Sequence, residues 1–117
     1  MESSTQDPSR QQAAAQTLSN VRKKELRTLG HSLKPIVMIA EKGITEAIDL
    51  ELDRALNDHE LIKIKINIGD PASRKQMAEE ICRNHGAALV QSIGKIALIL
   101  RHAKKPNAKL SNLLRPV

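Results

Sequence analysis

The side chains that could do chemistry here are few in kind: four histidines, one cysteine, thirteen carboxylates and nineteen lysines and arginines. His31, His59, His85 and His102 lack partners at the spacing a zinc site uses, and Cys82 falls in an apolar helical stripe. His59 and Glu60 are neighbours, but adjacent side chains in an extended segment before a strand point to opposite faces and share no site. His85, near the end of a predicted helix, reads as a capping or dipole-satisfying residue rather than a base. No Walker or dinucleotide glycine pattern occurs. The expectation is a protein that is not an enzyme, with no metal, no cofactor and no small-molecule substrate.

The informative chemistry is anion binding. In Met38–Ile39–Ala40–Glu41–Lys42–Gly43–Ile44–Thr45 a short apolar run ends, a tight loop turns and a helix begins. The first amides of a helix have no partner in it and carry partial positive charge, so phosphate binds there. Gly43 lets a nucleic-acid backbone come close, and Lys42 adds a cation. From spacing alone the segment reads equally as an ordinary strand-to-helix turn in which glycine supplies an unusual φ.

The elements that must position this loop are legible from periodicity. Ser19 or Asn20 caps a first helix with Leu18, Leu26 and Leu29 on one side, Gly30 as its C′ residue and Pro35 barring continuation. Ile36–Ile39 reads as a buried strand. Thr45 caps a second helix striped by Ile44, Ile48, Leu52, Ala55 and Leu56. Ile62, Ile64, Ile66 and Ile68 alternate with Lys63, Lys65 and Asn67, a strand with one core face and one lysine face. Asp70–Pro71 opens a third helix that carries Ala78, Ile81, Cys82 and His85 on one face and stops at Gly86. Leu89–Ile93 and Ile96–Leu100 flank a Gly94–Lys95 hairpin turn, and the second of them, apolar on both faces, belongs inside the sheet. The order α-β-α-β-α-β-β predicts an α/β fold of two layers. Right-handed crossovers place the second and third helices on one face of a mixed four-stranded sheet, leaving Lys63 and Lys65 projecting from the other.

Composition narrows the partners. At 117 residues there is room for one domain, and without a single Phe, Tyr or Trp its core rests on Ile, Leu, Val, Ala and Met. The lack of rings also removes stacking of bases on aromatics. The formal charge of +6 is unevenly spread. Arg22 to Lys42 holds six basic residues against Glu25 and Glu41, whereas residues 46–60 hold six acids against Arg54. A domain with one basic and one acidic end orients in the field of a polyanion. A lone cysteine suits a reducing compartment, and no apolar run reaches membrane-spanning length, so a cytoplasmic protein without a membrane partner is expected. Residues 1–17, rich in Ser, Gln and Ala, are predicted to be a disordered tail or a weakly helical extension through Gln11–Gln16.

Four segments carry a resemblance: LGHSLKPIVMI (Leu29–Ile39), KGITEAI (Lys42–Ile48), NDHELIKIKI (Asn57–Ile66) and IGKIALILR (Ile93–Arg101). Together, in order and without large gaps over residues 18–101, they resemble the CRM domain. This is the RNA-binding module of the bacterial YhbY family and of plant organelle splicing factors. The resemblance implies a four-stranded mixed sheet like that of the C-terminal domain of translation initiation factor three, and association with precursors of the large ribosomal subunit. It also implies that the family's GxxG loop lies at Ala40–Glu41–Lys42–Gly43, with Ala40 in place of the first glycine. By the same resemblance Arg22, Lys23, Lys24, Arg27 and Lys34 stand where the family's basic first helix and its exit lie, and are expected phosphate contacts.

The leading expectation is therefore a monomeric protein that binds structured ribosomal RNA through Arg22, Lys23, Lys24, Arg27, Lys34, the Ala40–Gly43 loop, Lys63 and Lys65. The rival is a protein-interaction module whose acidic second helix meets a basic partner such as a ribosomal protein. The basic tail, residues 102–117, lies outside the resemblance. It reads equally as an RNA-wrapping arm, a solvated end, or a segment docked through Leu110, Leu113 and Leu114.

Overall fold

The structure, a computed structural model, describes residues 18–114; the expected N-terminal tail lies outside the described residues. Three helices and four strands follow in the expected order: α1 (Asn20–Gly30), β1 (Pro35–Ile39), α2 (Glu46–His59), β2 (Leu61–Ile66), α3 (Pro71–His85), β3 (Ala88–Ile93) and β4 (Ile96–Leu100). Each helix starts on the residue type that its orphan amides require. Ser19 accepts from the amide of Arg22, Thr45 from that of Ile48, and Asp70 from that of Ser73. Gly86 ends α3 in the left-handed conformation.

The sheet order is β1-β2-β4-β3. β1 lies parallel to β2, while β4 runs antiparallel to both β2 and β3, so the all-apolar β4 is internal. The alternation in β2 divides the core. Ile62, Ile64 and Ile66 join Val37, Ile39, Ala97 and Ile99 beneath α2 and α3, against Leu52, Leu56, Ala78 and Ile81. Burying a side chain of this size stabilises by about 1.5–3 kcal/mol, so this layer is the main source of cohesion.

The opposite face departs from the expected one-sided cover. α1 crosses it, and a second cluster of Leu26, Leu61, Val90, Leu98 and Leu100 is closed by Leu18, Leu29, Leu33 and Leu113. The apolar residues Leu61, Leu98 and Leu100 on that face require a cover, and the leucines of α1 supply it. Only the half of the face around Lys63, Lys65 and the β3–β4 turn stays open. Gly30 differs from its expected role too. It is the last residue of α1 and buried, and a Cβ there would stand 2.7 Å from Leu98 Cδ2. Close packing of helix on sheet, rather than a left-handed cap, is what demands glycine at this position.

Residues 102–114 return across the base of the domain, ending with Ser111 fully buried. Glu60 is the anchor. It links α2 to β2 at φ 63°, and its carboxylate accepts from Ser111 Oγ at 2.6 Å and from the Ala103 amide at 2.7 Å. Asn112 donates through its side chain to the Leu61 carbonyl and through its amide to that of His59. Of the three leucines expected to dock, Leu113 does so, while Leu110 and Leu114 remain exposed. His59 and Glu60 share no site, but for a reason the sequence did not show. Both are taken up by this segment, the His59 ring lying 3.0 Å from the Leu110 carbonyl.

Candidate nucleic-acid interface

The loop after β1 is built by two short-range constraints. The Gly43 amide donates to the Ala40 carbonyl at 2.9 Å, closing a four-residue turn, and Gly43 takes φ 81°. A side chain at that φ is strained, although the only heavy atom within 4 Å of a Cβ built there is Met77 Cε at 3.8 Å. Thr45 then caps α2, leaving the amides of its first residues, Glu46 and Ala47, without intrahelical acceptors. Ala40, Glu41 and Lys42 are all exposed. The expected strand–turn–helix arrangement is present: a tight turn, an exposed cation and the start of a fourteen-residue helix.

Tertiary structure adds partners that spacing does not show. The sheet brings the segment after β2 and the β3–β4 turn beside this loop, and Ala40, Glu41, Lys42, Asn67, Gly69 and Lys95 line an open hollow of about 550 Å3. Lys95 Nζ donates to Asn67 Oδ1 at 3.1 Å, while the Asn67 amide continues the β1 ladder by donating to the Ile39 carbonyl. Arg74 of α3 ties the rim together, reaching the carbonyls of Ile68, Gly69 and Gly94. The sequence marked Gly94–Lys95 as a turn, but only the strand order puts Lys95 opposite Lys42. For Arg74 no sequence signal existed.

The first-helix cations present a second basic surface. Arg22 spends part of its charge on Glu25 at 3.3 Å. Lys23 and Arg27 are half-buried and Lys24 exposed; no ion pair forms to any of the three among the described residues. Lys34 is exposed just before β1. Lys63 and Lys65 lie between the two groups, on the open half of the sheet, and both are half-buried. The expected residues therefore sit on three elements, α1 and its exit, the open half of the sheet and the loop after β1, and no single hollow gathers them.

Two acids of the second helix are engaged, while Glu46, Glu51 and Asp58 form no ion pair among the described residues. Asp49 meets the ring of His85 at 3.0 Å, and Asp53 pairs with Arg101 at 2.9 Å. Arg101 also bonds Asn57, the Asp53 carbonyl and the His85 carbonyl. These contacts fasten α2 to α3 and β4, so His85 acts across helices rather than as a cap, and less free charge remains for a basic partner. Two pKa shifts have structural causes. Asp70 is held below the usual carboxylate range by the hydroxyl and amide of Ser73, and burial, with Glu79 nearby, pushes the Cys82 thiol up to about 12. A thiol so placed is an inert core group. Among the described residues no three His, Cys, Asp or Glu side chains gather as metal ligands, and no helix is long and apolar enough to cross a membrane.

Comparison with known proteins bears on the family and the fold. The model of the CRS1 / YhbY (CRM) domain matches residues 18–101, the span from the start of the α1 cap to the end of the sheet. A Pseudomonas aeruginosa protein named as a probable RNA-binding protein is 47% identical over 98 residues, covering 84% of this chain and 94% of its own length. A Haemophilus influenzae protein named RNA-binding protein is 38% identical over 94 residues, covering 80% and 95%. Among solved structures, the solution structure of a hypothetical Staphylococcus aureus protein, described as a candidate RNA binder, superposes with a TM-score of 0.68. It is 32% identical and covers 76% of this chain and 93% of that one. Matched by the family model over its whole sheet and by relatives along nearly their full length, the chain belongs to the CRS1/YhbY (CRM) domain family.

Proposed function

We propose that this protein binds structured ribosomal RNA, as a non-catalytic, monomeric factor on precursors of the large ribosomal subunit. The observation that carries the reading is the Ala40–Thr45 junction. A turn closed by Gly43 exposes Lys42 just ahead of the start of α2, in a hollow it shares with Lys95 and with the one acid Glu41, so a phosphate there would meet two cations. Arg22, Lys23, Lys24, Arg27 and Lys34 extend the contact along an RNA backbone. Phosphate contacts dominate affinity and carry little sequence information, so shape and backbone geometry are what such a surface selects. The names of the relatives support the RNA part of this reading. Its ribosomal part rests on the family resemblance.

The test is crosslinking in cells followed by identification of the attached RNA. The expected result is enrichment of large-subunit ribosomal RNA, with the protein sedimenting with immature large subunits. Recovery of RNA without ribosomal enrichment would remove the assembly role and leave RNA binding. Recovery of no RNA would remove both.

A further inference from the structure

On the face crossed by α1, the end of the sheet nearest the loop carries a row with one residue from each strand. Strand register sets Met38 beside Lys65, Lys65 beside Ile96, and Ile96 beside Ile93. The next row runs through Pro35, Lys63, Leu98 and Gln91. Met38 and Ile93 are 56% and 65% exposed, and Ile36 at the edge 46%. Exposed and half-buried apolar residues thus stand on both sides of a lysine column, Ile36 and Met38 on one side and Ile96 and Ile93 on the other, and such exposure marks an interaction site. Lys63 and Lys65 are half-buried within it, and neither ammonium has a carboxylate or other hydrogen-bond partner among the described residues. No acid stands in either row. Two hollows flank Lys63, about 190 Å3 toward Lys34 and Ile36 and about 260 Å3 toward His31 and Ile93, and no acid lines either one.

Unpaired cations set in an apolar, acid-free floor select a partner that is at once flat, apolar and polyanionic. Unpaired nucleotides meet all three conditions. A duplex does not, because its base faces stay stacked inside and only phosphates and groove edges are offered. We propose that this half-open face holds unpaired RNA nucleotides, with phosphates on Lys63 and Lys65 and bases lying against Met38, Ile93 and Ile96. Four strands span about 14 Å, three spacings of roughly 4.8 Å. That width seats two or three bases, as four-stranded sheets with stacking rings do. The proposal rests on the RNA reading above and adds which form of RNA this surface takes.

The chain has no Trp or Tyr, so Ile93→Trp introduces one fluorophore on a dark background at an exposed strand end. Full-length variant protein is titrated with a labelled hairpin bearing a single-stranded extension, with the same hairpin fully paired, and with an acidic apolar peptide. Anisotropy of the RNA label and indole emission are read together. The expected result is binding of both RNAs, with the indole quenched only by the one bearing the extension. In a Lys63→Gln/Lys65→Gln background the salt dependence for that RNA should become shallower by about 1.4, roughly 0.7 per lost contact. RNA binding with an unchanged indole overturns the proposal and leaves the RNA reading standing, whereas no rise in anisotropy overturns the RNA reading itself. An indole that responds to the acidic peptide and not to RNA assigns the face to a protein. An indole already shielded from acrylamide in the free chain assigns it to the chain's own residues or to a second copy. Either outcome overturns the proposal.

Discussion

Gly43 combines a φ of 81° with nearly open space around the position of a Cβ, and substitution separates backbone strain from charge. Gly43→Asn keeps tolerance of the left-handed region without charge, so it should fold cooperatively and bind RNA close to the native level. Gly43→Asp adds a carboxylate where a phosphate is proposed. Its charge is favourable to the helix start by about 0.3–1 kcal/mol, so lost binding would not reflect a weakened helix. Loss of one charge-assisted contact costs about 1.5–3 kcal/mol, or roughly ten- to a hundredfold in affinity. Equal binding by the two variants, measured by filter retention alongside melting curves, would make the loop a structural turn. Cys82 gives a prediction of the opposite kind. With its pKa raised to about 12 by burial, almost no thiolate exists near neutral pH. Native protein should therefore resist maleimide, and labelling should follow the global unfolding equilibrium. Fast labelling without denaturant would show that α3 opens locally.

At the scale of the element, α1 has two faces with separable tasks. Leu26 is fully buried in the second cluster, and Leu26→Ala should destabilise by about 2–5 kcal/mol through the cavity it leaves. Replacing Lys23, Lys24 and Arg27 by glutamine touches no ion pair among the described residues and should leave the melting temperature nearly unchanged. The salt dependence of RNA binding should then become shallower by about 0.7 for each phosphate contact removed. An unchanged slope would place the phosphate contacts elsewhere. Gly30→Ala tests the packing itself, since its methyl would press on Leu98 at 2.7 Å in a crowded core. The expected loss is about 1–3 kcal/mol with RNA contacts intact at saturation. Thermal melts of the three variants distinguish a helix that covers the sheet from one that only carries charge.

For the molecule as a whole, the C-terminal segment fastens the α2–β2 junction. Glu60 has its carboxylate satisfied from that segment, by Ser111 and the Ala103 amide, and its residue is only 2% exposed. Truncation after Arg101 removes both partners and takes Leu113 from the second cluster, so a fall in stability of several kcal/mol is expected, on the scale of about 1–3 kcal/mol per polar group left unsatisfied plus lost apolar cover. Ser111→Ala isolates the polar share at about 1–3 kcal/mol. Denaturant unfolding of the two variants beside the full chain checks both values. If the truncated chain were as stable as the full one, the segment would be an appendage and its lysines would act only by long-range attraction.

Much of this architecture was legible in the sequence because its signals are local. Caps at Ser19, Thr45 and Asp70, the period-two isoleucines of β2, the Gly94–Lys95 turn and the wholly apolar β4 each state a backbone geometry within a few residues. Lys42 and Gly43 were legible for the same reason, because strand, turn and helix meet there within eight positions. What the sequence left undetermined depends on distance along the chain. That α1 covers half of the second face follows from which leucines find each other, residues 18–33 against 61, 98 and 100. That Lys95 faces Lys42, and that Asp49 and Asp53 are taken by His85 and Arg101, follows from strand order and helix docking. Periodicity tells each element which side to bury, but not which distant element will cover it. Only the closing of the chain on itself decides that, and with it which charges stay free for a partner.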